Sequence, residues 1–451
     1  MNPPTIGFVT CVHPFYDLPA VAEARERAVA ALRESGCQVI AAPIPRNSQD
    51  AVETARNFTA SAIDLVVLFF CTWVAEEITL ALASELIDVP MLFWALPYLD
   101  KDVPMPSPMS GITSSGSNIR RLGKRFIHQI GGVTPANVEK VLHAAKVAAV
   151  VRALRSARFG IIGDPCPGML DVEVDAEEIR KTLGATAVPL NLDSLLQSAE
   201  AASPKEASQA AERLMRAAQG ERSIDTERLA ENLRLYVALK ETVRQNALDG
   251  YCLRCWPELR DQRKITPCAA HALLSEEGVP STCEVDLTAL ITTWILSRLA
   301  GAPAFNFDLT AYLEDEGAIQ LAHCGAAAPS LAGAPEAVSL RSHMRTATGA
   351  TVEFPFKPGP VTLAKLLRPN HGKPALAAAA GEVISSQGIR GSVATVRPMP
   401  SAAVFLDWLM RRAVEHHIAL VYGSWLSDLR MFCEFTGISL LLPENADRID
   451  Q

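Results

Sequence analysis

The sequence predicts an α/β protein in three parts: a parallel-sheet unit over 1–150, a second α/β unit over 151–335, and a β-rich antiparallel unit with closing helices over 336–451. Three observations predict it. Apolar strands alternate with amphipathic helices through the first part, and the alternation resumes after the long helical stretch "NVEKVLHAAKVAAVVRALRSA" (137–157). Beyond residue 335 the segments become short, turn-punctuated and free of helical period.

In the first part "TIGFVTC" reads as a strand, and "LPAVAEARERAVAALRESG" as a helix closed by Gly36. "CQVIAAPI" and the fully apolar "AIDLVVLFFC" and "VPMLFWAL" are further strands, separated by the helices "SQDAVETARNFTAS" and "VAEEITLALASEL". Continuous apolar strands of this kind belong to a parallel sheet covered on both faces, where ligands collect at the carboxyl ends of the strands. Those ends are Thr10–Tyr16, Cys71–Trp73 and Leu96–Tyr98.

The second part opens with "RFGIIGDPCPGMLD", which lacks the lysine of a phosphate loop. Helices over 205–219 and 226–247 follow, then "GYCLRCWPEL", "PCAAHALLSEEG" and a strand "PAFNFDLTAYL" that reads with the same unit. The last part holds "ATVEFPFKPGPVTLAKLL", "KPALAAAAGEVISS" and "GSVATVRP", then a helix "AAVFLDWLMRRAVEH", the strand "HIALVYGSW", a closing helix and "GISLLLPE".

Hydrophobic residues make up 49% and charged residues 20%, the balance of a globular protein in water. A net charge of −8, with no basic cluster longer than the four cations of "RRLGKRFIH", excludes a nucleic-acid surface. The longest apolar runs fall short of the roughly 20 residues that span a bilayer, and "MNPPTIGFVTCVHP" has no basic leader region. A cytoplasmic location with no membrane partner is expected. The ten cysteines are scattered apart from Cys252 and Cys255, which find no second pair at zinc spacing, so buried thiols are expected.

The residues able to do chemistry gather around "STCEVDLTALITTWILSRLAG" (281–301). Leu287, Leu290, Ile291, Trp294 and Ile295 recur at helical spacing, which places Asp286 at the N-cap. Capping is the ordinary role of such a residue. With Glu284 two residues upstream, however, the pair forms a helix mouth able to hold a hard divalent cation through oxygen. Imidazole could come from the His416–His417 doublet and from His323 in "LAHCGAAAPSL". The segment "RCWPELRDQ" offers Arg254, Glu258 and Arg260, either to a polar ligand or as a plain surface turn.

The order "CWPEL…PCAAHALLSEEGVPSTCEVDLTALITTWILSRLAGAPAFNFDL…LAHCG…HHIALVYG" resembles the L-fucose isomerase and L-arabinose isomerase superfamily, nearest its fucose isomerase-like branch. The resemblance implies two Rossmann-like domains followed by a smaller antiparallel β-barrel-like domain. It implies an aldose–ketose isomerase working through an enediol with Mn²⁺ or another divalent cation, in a homo-oligomer (trimer or hexamer) with active sites between subunits. The family's metal-binding aspartate falls on Asp286, its C-terminal histidine on His417 with His416 one register away, and a further histidine on His323.

The family's catalytic glutamate falls near Ala270 or His271, where no carboxylate stands, and Glu258 is its expected replacement as base and metal ligand beside Asp286. Glu284, Arg254, Trp256, His13, Trp73 and His416 are the expected substrate-facing residues. Arg120 and Arg121, in the first-part loops that would select the sugar, suit an anionic substituent. The missing glutamate leaves two alternatives open: an epimerase or lyase acting on a sugar acid or sulfonated sugar, and a non-catalytic sugar-binding protein.

Overall fold

A computed structural model describes residues 3–16, 18–370, 373–385 and 389–443. One compact unit takes in the chain up to Ala153 together with Ser427–Gly437; the other takes in Leu154–Leu426 and continues from Ile438.

In the first unit β1 (Thr5–Cys11), β2 (Gln38–Ala41), β3 (Leu65–Phe70), β4 (Met91–Ala95) and β5 (Ile127–Ile130) form a parallel sheet in the order β2-β1-β3-β4-β5. All of β3 and β4 is buried, because helices cover both faces of a parallel sheet. Phe69 packs its ring against Phe8 at 5.4 Å and Trp94 at 5.1 Å.

The second unit begins with a smaller parallel sheet, β7-β6-β8-β9, made of β6 (Arg158–Ile162), β7 (Thr186–Leu190), β8 (Gly250–Leu253) and β9 (Ser281–Cys283). Nine more strands follow: β10 (Phe305–Leu313), β11 (Ala318–His323), β12 (Ser339–Arg341), β13 (Thr351–Pro355), β14 (Gly359–Asn370), β15 (Lys373–Ile384), β16 (Ser392–Pro398), β17 (His417–Tyr422) and β18 (Ser439–Leu441). Six of them, in the circuit β16–β11–β10–β17–β14–β15–β16, pair antiparallel all the way round and close a barrel. β13 joins β16 in parallel with β12 at its outer edge, and β18 adds in parallel to β15. The strand read from the sequence as part of the second parallel unit, "PAFNFDLTAYL", lies in this barrel as β10. Its apolar residues gave no sign of strand direction.

The helix Leu287–Ala300 explains its own composition. It is buried without interruption from Leu287 to Leu296 because it packs both on β8 and on β14 and β17, and a helix covered on all sides is apolar all round. Thr292 contributes an oxygen that accepts the backbone N–H of Leu366 at 2.9 Å, tying the helix to β14. No described helix is long and apolar enough to cross a membrane.

Candidate metal centre

β9 ends at Cys283, and the chain then turns through two left-handed residues, Glu284 at φ +66° and Val285 at φ +65°. Such conformations cost about 1–3 kcal/mol each in non-glycine residues, and more readily so in a β-branched one, so they persist only where the surroundings impose them. Here the Glu284 N–H donates to Leu253 O at 2.9 Å, and Asp286 accepts from the Ala289 N–H at 2.7 Å as the cap of the following helix. The kinked turn gives the two carboxylates different surroundings: Asp286 is sealed in, 1% exposed, while Glu284 keeps 17% of its side chain open.

The barrel brings the partners. In the β10–β17 register Asp308 stands directly opposite His417, so both side chains share one face. The Nε2 of His417 lies 3.1 Å from Glu284 Oε2 and 3.2 Å from Asp308 Oδ1. His323, at the end of β11, completes the group, with its ring centroid 6.5 Å from that of His417. One ligand atom from each of Glu284, Asp308, His323 and His417 falls within 4.8 Å of the others.

The charges balance within this group. Burial pushes the Glu284 and Asp308 carboxyls up, but the hydrogen bond from His417 and the charges of His323 and His417 hold both below the usual carboxylate range. Burial pushes His417 down, but its hydrogen bonds to Asp286, Asp308 and Glu284 outweigh this and raise it to about 10. His323 is likewise driven down by burial and raised to about 10 by its hydrogen bond with Cys324 and the charges of Asp308 and Glu284. The group offers a divalent cation two carboxylate oxygens and two imidazole nitrogens. Such a set suits Mn²⁺, Fe²⁺, Co²⁺ or Zn²⁺, and donors around one such ion stand about 3–4 Å apart. The residues present fit a metal.

Of the residues singled out in the sequence, Glu284, His323 and His417 therefore meet. Asp286 does not join the donor group: its Oδ2 takes the Nδ1–H of His417 at 2.7 Å from behind. His416 projects beside it, its Nδ1 2.5 Å from Asp171 Oδ2 and its Nε2 3.8 Å from Asp308 Oδ1. Glu258 sits in a π-helical turn, Glu258–Arg263, bound to Arg254 Nε at 2.7 Å. Trp256 carries the guanidinium of Arg260 over its ring at 5.2 Å. Ala270 and His271 lie in the buried helix Cys268–Glu276. In the other unit His13 stacks on Trp73 with centroids 4.9 Å apart, at the carboxyl ends of β1 and β3.

Asp308 was not singled out in the sequence. The available signal was a carboxylate inside a strand, where aspartate is depleted; the register that sets it against His417 leaves no local trace. Asp171 was passed over for the same reason, lying 245 positions from His416.

No family model matches the chain. A sulfoquinovose isomerase from Priestia aryabhattai is 25% identical over 432 residues, covering 94% of this chain and 96% of that protein. Sulfoquinovose isomerases from Clostridium sp. (strain MSTE9) and Alkalicoccus urumqiensis are 25% and 24% identical, covering 75% and 85% of this chain and 77% and 87% of those proteins. Among solved structures, a periplasmic solute binding protein from Actinobacillus succinogenes 130z with bound D-allose is 12% identical, covering 66% of this chain and 92% of that one. Its TM-score of 0.18 is too low to bear on the fold.

Proposed function

We propose that this protein is a metal-dependent aldose–ketose isomerase acting on a modified, anionic monosaccharide, with a sulfonated sugar as the first candidate. The observation that carries the reading is the gathering of Glu284, Asp308, His323 and His417, in a chain similar over 94% of its length to a sulfoquinovose isomerase. Glu284 supplies the carboxylate that positions 270 and 271 lack, so nothing in the site favours an epimerase or lyase over the isomerase.

Mn²⁺ is the proposed ion; when bound, it polarises the sugar oxygens on C1 and C2. The rest falls to the chain. Asp308, the more open carboxylate at 37% exposed against 17% for Glu284, takes the proton from C2 of the aldose. The electron pair released forms the C1–C2 double bond as the C1 oxygen becomes a hydroxyl. The proton that makes this hydroxyl is the one Glu284 relays from O2; Asp308 then returns its own proton to C1, and C2 becomes the carbonyl. His416, braced by Asp171, donates a hydrogen bond to a sugar hydroxyl beside Asp308. Arg254 and Trp256 are proposed as further sugar contacts, and a homo-oligomer with sites between subunits belongs to the same reading.

The test is incubation of the Mn²⁺-loaded protein with sulfoquinovose in D₂O, followed by NMR. The expected product is the ketose, with solvent deuterium at C1 or C2 of an otherwise intact sugar. Full turnover after exhaustive chelation, or cleavage of the carbon chain, would sink the proposal.

A further inference from the structure

Behind His417 the protein buries a lysine. Lys365 lies within β14 and its side chain is 1% exposed, beside a small cavity lined by Phe405, Trp408, Leu409 and Ile418. Taking an ammonium out of water costs several kcal/mol unless it is well paired. Its Nζ donates to Asp286 Oδ2 at 2.8 Å and to Thr288 Oγ1 at 2.9 Å. That same Oδ2 receives the Nδ1–H of His417 at 2.7 Å. The other carboxylate oxygen accepts from the Thr288 hydroxyl at 2.8 Å and the Ala289 N–H at 2.7 Å. Both oxygens are thus held twice, and the carboxylate has no freedom to turn.

A helix cap does not require this arrangement. Asparagine or serine would cap the helix Leu287–Ala300 about as well without a counter-charge. A buried ion pair, moreover, is often no more stable than an apolar pair of the same volume. What the pair does accomplish is local: with Asp286 pinned, the His417 ring can present Nδ1–H only backwards, and Nε2 only towards Glu284 and Asp308.

We propose that Lys365 is a positioning residue for the metal centre, acting through Asp286 to fix the plane and tautomer of His417. The inference rests on the metal-centre reading above. Lys365 touches neither substrate nor metal; it holds the group that aims a ligand, and such outer partners govern metal affinity strongly.

The test uses Mn²⁺ titration by calorimetry and the visible absorption of the Co²⁺-loaded protein. Wild type, Lys365→Met, Asp286→Asn and the double variant are compared, with melting temperatures taken without metal. Lys365→Met is expected to weaken Mn²⁺ binding about 10–100-fold and to change the Co²⁺ spectrum. The double variant removes the buried charge altogether, so its melting temperature is expected to return towards wild type while its Mn²⁺ affinity does not. Because Lys365 acts through Asp286, the double variant is expected to bind Mn²⁺ about as weakly as Asp286→Asn alone; losses that add would overturn the proposal. Wild-type affinity and spectrum in Lys365→Met overturn the proposal, and if Lys365→Met does not fold, Lys365→Gln takes its place in the same comparison. Failure of the metal-centre reading looks different: the wild type itself binds no Mn²⁺ or Co²⁺, or binds them undiminished after Glu284→Gln and Asp308→Asn.

Discussion

The parallel sheet of the first unit and the closed barrel of the second are both well buried, yet they treat charge in opposite ways. No Asp, Glu, Lys or Arg lies on β1–β5, and β3 and β4 are apolar and buried throughout. The barrel strands bury Lys365 and His417 and half-bury Asp308, with His323 at the end of β11. A sheet covered by helices on both faces offers a charged group no partner. A closed barrel whose strands come from distant segments can bring a charge and its counter-charge into register and seal them. The first region therefore carries stability, and the second gives up some stability to gather charged groups in one place.

The largest break in this contrast should come from the donor group. Asp308→Asn, Glu284→Gln or His417→Gln is expected to lower kcat/KM by about 10³-fold or more, roughly 4 kcal/mol, and to abolish stoichiometric metal binding. Steady-state kinetics and metal analysis after gel filtration check it, and near-normal turnover in all three would erase the distinction between the regions. In the other region Phe69→Ala, which removes a ring buried between Phe8 and Trp94, is expected to cost about 3–5 kcal/mol of stability. Denaturant unfolding measures that loss, and metal affinity should not change.

A pH experiment probes how the second unit treats a histidine outside the donor group. His271, 1% exposed, is pushed by burial, and further by the charge of His323, to about 3. Its folded pKa lies below the value of about 6.5 in the unfolded chain, so the unfolded state binds the proton first as pH falls. Stability from this group is present above about pH 6.5 and is lost as pH falls towards 3, with a slope approaching about 1.4 kcal/mol per pH unit. His271→Leu should flatten that part of the stability–pH curve; an unchanged slope would mean the imidazole is not kept neutral. The smallest effect is expected at Glu258. Its carboxylate is engaged by Arg254 in a partly exposed pair, so Glu258→Gln should change kcat by no more than about threefold, under 1 kcal/mol. A fall as deep as that of Asp308→Asn would instead make Glu258 the base.

Much of the fold was legible because it rests on local pattern. "LVVLFF" and "MLFWA" read as covered strands, and Asp286 before Leu287, Leu290, Ile291 and Trp294 read as the helix cap it is. Local pattern offered the metal to both carboxylates; the family resemblance gave it to Asp286 and left Glu284 to a supporting place. The geometry divides them the other way, through two left-handed residues that composition does not announce.

The sequence by itself determined the alternation of strands and helices, the helix that ends at Gly301, and the residue types a metal would need. Only the tertiary structure decided which of them meet. Asp308 faces His417 across 109 residues of chain because β10 and β17 pair in one particular register. Lys365 reaches Asp286 because the barrel closes over the helix that Asp286 begins. Periodicity is written in neighbouring residues. Register and closure are set by the packing of whole sheets, and a one-residue slip would turn the same Asp308 out of the site.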